Sequence, residues 1–279
     1  MITCKSFYGN TCIIPKKIVT LHKVLPYSTQ TIMSRFLDRA ERLLGEDMLK
    51  SIAEKKVLLF GVGGVGSWCA EGLVRSGIQN LTIVDPDCVS ESNINRQLMA
   101  TSLTIGQVKV EAMKAHLLEI NPQASITALK KAYTKETNSE FNLTEYDYIV
   151  DCIDSLKDKY ALLIAACNTP AKVFSSMGAA LKTDPTQVKV AEYWKVRGCP
   201  LGAALRKKMK QSKVKLAQKV QCVYSEELLE NKGNTTEQST RQINGSLVHI
   251  TAIFGFTLSG LVLNDIIGNA KADGSNQTI

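Results

Sequence analysis

The sequence predicts an α/β fold: a doubly wound, Rossmann-like, mostly parallel sheet with helices on both faces. Three observations carry this. Short apolar strand patterns alternate with helical ones from Val57 onward. A Gly61-x-Gly63-x-x-Gly66 string stands between a clean strand and a helix. Acidic residues close successive strands, at Asp85 and again at Asp151 and Asp154.

Ser34 to Ser51 places Phe36, Leu37, Ala40, Leu43, Leu44, Met48 and Leu49 at helical spacing, punctuated by Arg35, Arg39 and Arg42. Val57–Phe60 is an unbroken apolar run, as expected of a strand buried on both faces. The glycine turn leads into a helix from Gly66 to Ser76, which Gly77 ends. Leu81–Asp85 is the second strand, and Val108–Ile120 is a helix stopped by Asn121-Pro122. Ile126–Leu129 is a third strand. Tyr148–Cys152 is a fourth, leading through Asp154 into a helix that reaches Cys167. Val173–Ser176 and Val188–Trp194 are further strands. A basic helical stretch covers Leu201–Gln218, Asn231–Asn244 is a polar loop, and an apolar helix near Leu247–Ile267 returns to the core. The organisation is thus an extension over 1–33, one domain over 34–270 and a tail over 271–279.

The chain has 279 residues, of which 44% are apolar, enough for a substantial core. Its 22% of charged residues is ordinary for a soluble protein. Leu247–Ile267 comes nearest to a membrane span. It carries His249, Asn264 and Asp265 and reads as a core or dimer-interface helix, so no integral membrane segment is expected. The net charge of +8 is unevenly spread. Nine Lys/Arg and no acid lie between Lys195 and Lys219, and five more with no acid lie in residues 1–37, leaving the rest net acidic. Such asymmetry points to a polyanionic partner. The eight cysteines form no C-x-x-C pair, so no structural zinc is expected. They read as free thiols of a reducing, cytoplasmic compartment, with Cys69, Cys152 and Cys167 packed in apolar elements. Residues 1–33 lack a secretory h-region and read as an interface arm or a targeting leader. A mitochondrial or membrane-associated location is therefore the alternative.

The glycines act by being small. Gly61 allows the turn, Gly63 and Gly64 let backbone approach phosphate, and Gly66 lets helix and strand pack closely. The helix start behind them offers N–H groups and a positive dipole end to an anion. Asp85 can accept bonds from ribose hydroxyls, which suits NAD and ATP equally. The residues downstream of Asp85 separate the two. Arg96 is a permanent cation with a fork suited to phosphate oxygens, flanked by the neutral donors Asn93 and Gln97. Lys109 opens a helix and can place a point charge on a phosphate. A carboxylate at Asp151 or Asp154, beside phosphates at the sheet's carboxyl edge, suits magnesium. Hydride transfer would use none of these groups, so the pattern points to ATP and carboxylate activation rather than to an NAD-dependent oxidoreductase.

Those strings together resemble the ubiquitin-activating-enzyme-like superfamily of adenylating enzymes: GVGGVGS from Gly61, the pair Asp85 and Asp87, Asn93-x-Asn95-Arg96-Gln97, Gly106–Glu111, Ile120-Asn121-Pro122 and Asp151–Ser155. More narrowly, Asp184-Pro185-Thr186-Gln187, Leu201–Leu205 with its basic continuation, Gln221–Glu226 and Phe254-Gly255-Phe256 resemble the tRNA threonylcarbamoyladenosine dehydratases. The resemblance spans Arg35 to Ile267. It implies that Gly61, Gly63, Gly64 and Gly66 hold the ATP phosphates, that Asp85, with Asp87, holds the ribose, and that Asn93, Arg96, Gln97 and Lys109 grip the triphosphate. Asp154 would coordinate magnesium. Arg39 matches an arginine that reaches into a partner subunit, implying a homodimer with composite sites. Two departures stand out: Ile243–His249 reads INGSLVH where bacterial relatives have a Gly/Ala-rich segment, and residues 1–33 have no counterpart.

The implied reaction is ATP-dependent adenylation of the threonyl carboxylate of threonylcarbamoyladenosine at tRNA position 37. A ureido oxygen then closes the ring with net loss of water, and proximity supplies the rate. Arg39, Arg96, Lys109 and Asp154 are the expected catalytic set, and Arg206, Lys207, Lys208, Lys210 and Lys213 the expected tRNA contacts. Cys222 is a candidate thioester thiol, and a cysteine desulfurase or other sulfur-transfer protein a candidate partner. A thiol packed beside the pocket is the preferred reading of Cys222. The alternative activity is adenylation of the C-terminus of a ubiquitin-like or sulfur-carrier protein, against which the missing zinc thiol pairs and the basic stretch speak.

Overall fold

The structure, a computed structural model, describes residues 36–233 and 244–275. The expected extension over 1–33 and most of the loop expected over 231–244 lie outside the described residues. The chain divides between Asp38 and Arg39, and the second unit holds the sheet and the crevice at its carboxyl edge.

The centre of that unit is a seven-stranded sheet in the order β3-β2-β1-β4-β5-β7-β6. The strands are β1 (Lys56–Phe60), β2 (Asn80–Val84), β3 (Ser125–Leu129), β4 (Tyr148–Asp151), β5 (Lys172–Ser176), β6 (Val188–Glu192) and β7 (Gln221–Ser225). All neighbours run parallel except β6 and β7. The helices are α1 (Asp38–Leu44), α2 (Glu46–Glu54), α3 (Gly66–Arg75), α4 (Lys109–Ile120), α5 (Leu156–Cys167), α6 (Pro200–Gln211) and α7 (Val248–Ser275).

Alternation along β1 builds a core on each face. Val57 and Leu59 join one with residues of α3, α4 and α7, while Leu58 and Phe60 join the other with residues of α5 and α6. On α7, Ile250, Phe254, Leu258, Val262 and Ile266 recur every fourth residue and are all buried, forming a ridge. Small residues let it approach α3, Gly255 lying against Val65 and Cys69 and Ser259 against Gly72. By length and composition α7 could cross a bilayer, with a mean hydropathy of 1.7 over Val248–Ala270. Its buried ridge makes it the core helix that the sequence suggests. Strand order reverses between β1 and β4, and the crevice that opens there at the carboxyl ends is where such sheets bind ligands.

Several expected boundaries move. The helix expected over 34–51 breaks at Gly45, whose φ of 83° separates α1 from α2. β7 is a strand that the sequence pattern does not announce, and it enters the sheet between β5 and β6. The strand expected to reach Trp194 stops at Glu192, whose carboxylate caps a short 3-10 turn at Tyr193–Lys195. The basic helical stretch ends at Gln211, and Lys213 turns the chain with a φ of 54°. α7 continues past Ile267 into the expected tail.

Candidate active site

β1 delivers the chain to Gly61, which sits at φ 87°, a region open to glycine and strained for other residues. A Cβ on Gly66 would lie 1.8 Å from the Gly61 carbonyl oxygen, so the loop closes only with hydrogen there. The Gly61 N–H donates to Val84 O, and the Val62 N–H donates to Asp85 Oδ2 at 2.7 Å. The Asp87 N–H donates to Asp85 Oδ1 at 3.0 Å. The buried Asp85 carboxylate therefore ties the glycine loop to the end of β2. Burial pushes its pKa above the ordinary carboxylate value, while the Lys109 ammonium and the two N–H donors pull the other way.

Lys109, the first residue of α4, is buried and stands 2.8 Å from Asp87 Oδ2 and 3.8 Å from Asp85 Oδ1. Its cation is thus held beside the loop by a carboxylate whose own side chain is 63% exposed. A phosphate arriving there competes with Asp87 for a charge already in position.

The Asn/Arg/Gln motif forms the opposite lip. Asn93 Oδ1 accepts from the Ser90 N–H and builds the short turn, so this side chain shapes the lip. Arg96 Nη1 donates to Ser92 O at 2.8 Å and to Asn95 Oδ1 at 2.9 Å, while its own carbonyl accepts from Trp68 Nε1. Asn95 Nδ2 donates to Ser246 O, joining the lip to the segment that enters α7. Arg96 Cγ and Thr251 flank Gly64. Gln97 is buried with its Oε1 unpartnered, and its Nε2 lies 3.9 Å from where a Gly63 Cβ would stand. The orphaned Oε1 needs a donor, which a ribose hydroxyl or the adenine amine of a nucleotide can supply and phosphate oxygens cannot.

At the end of β4, Asp151 and Asp154 separate into different roles. Asp151 is fully buried: Lys159 Nζ lies 2.6 Å from its Oδ2, the Ser175 hydroxyl donates to the same oxygen at 2.7 Å, and the Ile153 N–H donates to Oδ1. Asp154 is exposed, immediately before the α5 N-cap Ser155. Among the described residues no group of three or more His, Cys, Asp or Glu is placed to hold a metal ion. A magnesium ion at Asp154 would take its remaining ligands from phosphate oxygens and water, as that ion usually does.

Cys222 lies in the same row of the sheet, since Asp151 pairs with Ser175 and Ser175 with Cys222. It is fully buried, and burial pushes its thiol far above the ordinary range. Lys159 draws it down and Asp151, next to that lysine, draws it up again. All six cysteines among the described residues are free, and Cys88 is the exposed one. Arg39 is exposed on α1, which buries none of its residues and leaves Leu43 82% exposed.

The basic run splits. Arg206 leans on Tyr193 O, and Lys208 Nζ sits 4.5 Å from the centre of the Tyr160 ring, so both turn inward. Lys207, Lys210 and Lys213 are exposed, as are Lys215 and Lys219 further on. α6 starts beside Gly178, just beyond the carboxyl end of β5. The chain after it reaches the opposite edge, where Gln218 Nε2 donates to Ala171 O ahead of β5. The cations therefore lead away from the crevice along one flank.

Sequence reasoning missed Lys159 and Ser175. Lys159 shares the spacing of Leu162, Leu163 and Ala166, the buried face of α5, and a lysine in that register is the signal that was there to read.

Comparisons with known proteins agree with this geometry. The ThiF family model matches residues 37–277. A tRNA threonylcarbamoyladenosine dehydratase of Bacillus subtilis is 39% identical over 189 residues, covering 68% of this chain and 74% of the relative. Its Escherichia coli counterpart is 32% identical over 253 residues, covering 84% of this chain and 94% of the relative. The crystal structure of the E. coli dehydratase TcdA in complex with ATP superposes with a TM-score of 0.75 at 33% identity, again over 84% of this chain and 94% of that one.

Proposed function

The chain belongs to the ThiF family and, within it, to the tRNA threonylcarbamoyladenosine dehydratases, and we propose that it adenylates the threonyl carboxylate of threonylcarbamoyladenosine at tRNA position 37 and closes the ring. The observation that carries this reading is the glycine loop at the crevice where β1 and β4 part, closed by Gly61 and Gly66 and flanked by the held cations Lys109 and Arg96. It fits the ATP found with the E. coli relative.

A carboxylate is a poor electrophile because it is anionic and resonance-stabilised. Its oxygen attacks the α-phosphorus of ATP, the bond to the β-phosphate breaks, and pyrophosphate leaves. A ureido oxygen of the same nucleoside then attacks the activated carbonyl carbon. The carbon–oxygen bond to AMP breaks, a ureido proton is lost, and the nucleoside ends one water lighter. Both nucleophile and electrophile belong to the substrate, so the protein needs no nucleophile of its own. Arg96 and Lys109 neutralise charge on the phosphoryl oxygens as pyrophosphate departs, and each is already positioned by protein partners. Gly61, Gly63, Gly64 and Gly66 keep the cradle open, and Asp85 holds its shape. Magnesium held by Asp154 would draw further charge from those oxygens.

Arg39 acts from a second copy of the chain. The exposed α1 with its uncovered Leu43 supports such a homodimer. Lys207, Lys210 and Lys213 contact tRNA phosphates, their exposure supporting that role, while Arg206 and Lys208 hold α6 in place. A sulfur-transfer partner would not reach the buried Cys222 without the sheet opening.

Incubation with ATP, magnesium and tRNA bearing threonylcarbamoyladenosine tests the whole reading. The nucleoside should lose one water as AMP and pyrophosphate appear. An adenylate formed instead on the C-terminus of a carrier protein, with tRNA untouched, would replace it.

A further inference from the structure

Lys159 is a fully buried cation that the adenylation and ring closure do not use. Its only carboxylate partner among the described residues is Asp151, equally buried, which also accepts from Ser175 Oγ and the Ile153 N–H. Removing two charges from water is costly, and apolar residues of similar volume often do as well or better for stability. A hydrogen-bonded pair supplies what an apolar pair cannot, namely direction.

That direction is used on the short segment between β4 and α5. Cys152 N–H donates to Phe60 O, and Cys152 O stands 2.8 Å from where a Gly61 Cβ would lie, so this peptide packs on the glycine turn itself. Asp151 Oδ1 holds the next N–H, that of Ile153, at 3.1 Å. Ser155 then caps α5 by accepting from the Asp158 N–H. Asp154 lies between these two fixed points. Its carboxylate is exposed, and the backbone on either side of it is fixed. Lys159 closes the arrangement from the second turn of α5, locking the helix to the strand end.

We infer that Lys159, through Asp151 and Ser175, is a positioning residue that aims Asp154 at the metal–nucleotide complex. The inference rests on the adenylation reading, which supplies the metal–nucleotide complex.

The test is the gain in ATP affinity that magnesium confers, measured by calorimetry in magnesium and in EDTA. Asp154→Ala should abolish the gain and should not weaken affinity in EDTA, where the carboxylate only repels the phosphates. The triple variant Asp151→Leu, Lys159→Met, Ser175→Ala keeps the buried volume apolar. It should melt within a few degrees of the parent yet lose about 10-fold of the gain, the lower end of what a metal ligand's lost support costs. Ser175→Ala alone removes one donor to Asp151 and is a small change in the core; it should lose about threefold. A folded triple variant with the parent's full gain overturns the inference. If the triple does not fold, Ser175→Ala decides by itself, and a parent-like gain there overturns it equally. A parent enzyme that binds no ATP under either condition fails differently, since that outcome removes the adenylation reading and this inference together.

Discussion

Around the glycine loop, every charged group of this copy assigned to the nucleotide except Asp154 is already bound. Asp85 accepts two backbone N–H groups, Lys109 is paired with Asp87, and Arg96 donates to Ser92 O and Asn95. Along α6 and the strap after it, Lys207, Lys210, Lys213, Lys215 and Lys219 are exposed and form no ion pair among the described residues. The first region acts through fixed geometry, where small displacements are expensive. The second acts through summed charge that tolerates displacement and is screened by salt. On the proposed reading, the difference separates the region that would choose the reaction from the region that would choose the polymer.

Substitutions should obey that division, and the largest effect belongs to the loop. Gly66→Ala forces a Cβ to within 1.8 Å of the Gly61 carbonyl oxygen, so the loop must open. ATP binding should become undetectable by calorimetry, with a clear fall in melting temperature. Retained ATP affinity would show that the loop is not the rigid cradle described. Asp154→Ala comes next. Turnover should fall by about 10²- to 10³-fold, typical for lost transition-state electrostatics. Melting temperature should stay unchanged, because the side chain is exposed.

The basic flank should respond in smaller, additive steps. Replacing Lys207, Lys210 and Lys213 with Gln should raise KM for tRNA about 10-fold and flatten the salt dependence of binding by about one power of salt per lysine. Turnover at saturation and ATP affinity should hold. Lys208→Gln is the contrast: it loses the contact with the Tyr160 ring, a matter of about 0.5–1 kcal/mol of stability, and should leave the salt slope alone. An equal change in slope from both variants would erase the distinction between inward and outward lysines.

Legibility in the sequence divides along the same line. The Gly61–Gly66 string, the apolar run of β1 and the acids at strand ends have local causes, so their positions were legible. Lys109 and Arg96 were legible as cations; the pairing of Lys109 with Asp87 depends on tertiary contact, while Arg96 pairs with its chain neighbour Asn95 through the local turn. β7 was missed because Gln221–Ser225 has only three apolar residues between polar ends and becomes an interior strand only by entering between β5 and β6. The single helix expected over 34–51 failed at one residue, Gly45, whose φ of 83° overrides an otherwise helical pattern. The nine-cation run of Lys195–Lys219 read as one surface, whereas contacts with Tyr193 O and the Tyr160 ring draw the Arg206 and Lys208 side chains inward and leave Lys207 and Lys210 outside.

Cys222 tests the comparison from its least reactive member. It lies in the row that contains Asp151 and Ser175, close enough to Lys159 for that charge to favour a thiolate. Asp151 opposes the effect and burial dominates both, so the thiol stays protonated at neutral pH. Cys222→Ala removes one sulfur atom from a packed core, worth about 1–2 kcal/mol and a few degrees of melting temperature. Cyclisation should remain within about threefold of the parent, because proximity of the ureido oxygen, rather than a protein thiol, closes the ring. Iodoacetamide should label Cys88 well before Cys222, as their exposure dictates. A loss of activity in Cys222→Ala as deep as that of Asp154→Ala, in a variant that melts like the parent, would require a thioester step, and the bound charges at the nucleotide would then be only half of the chemistry.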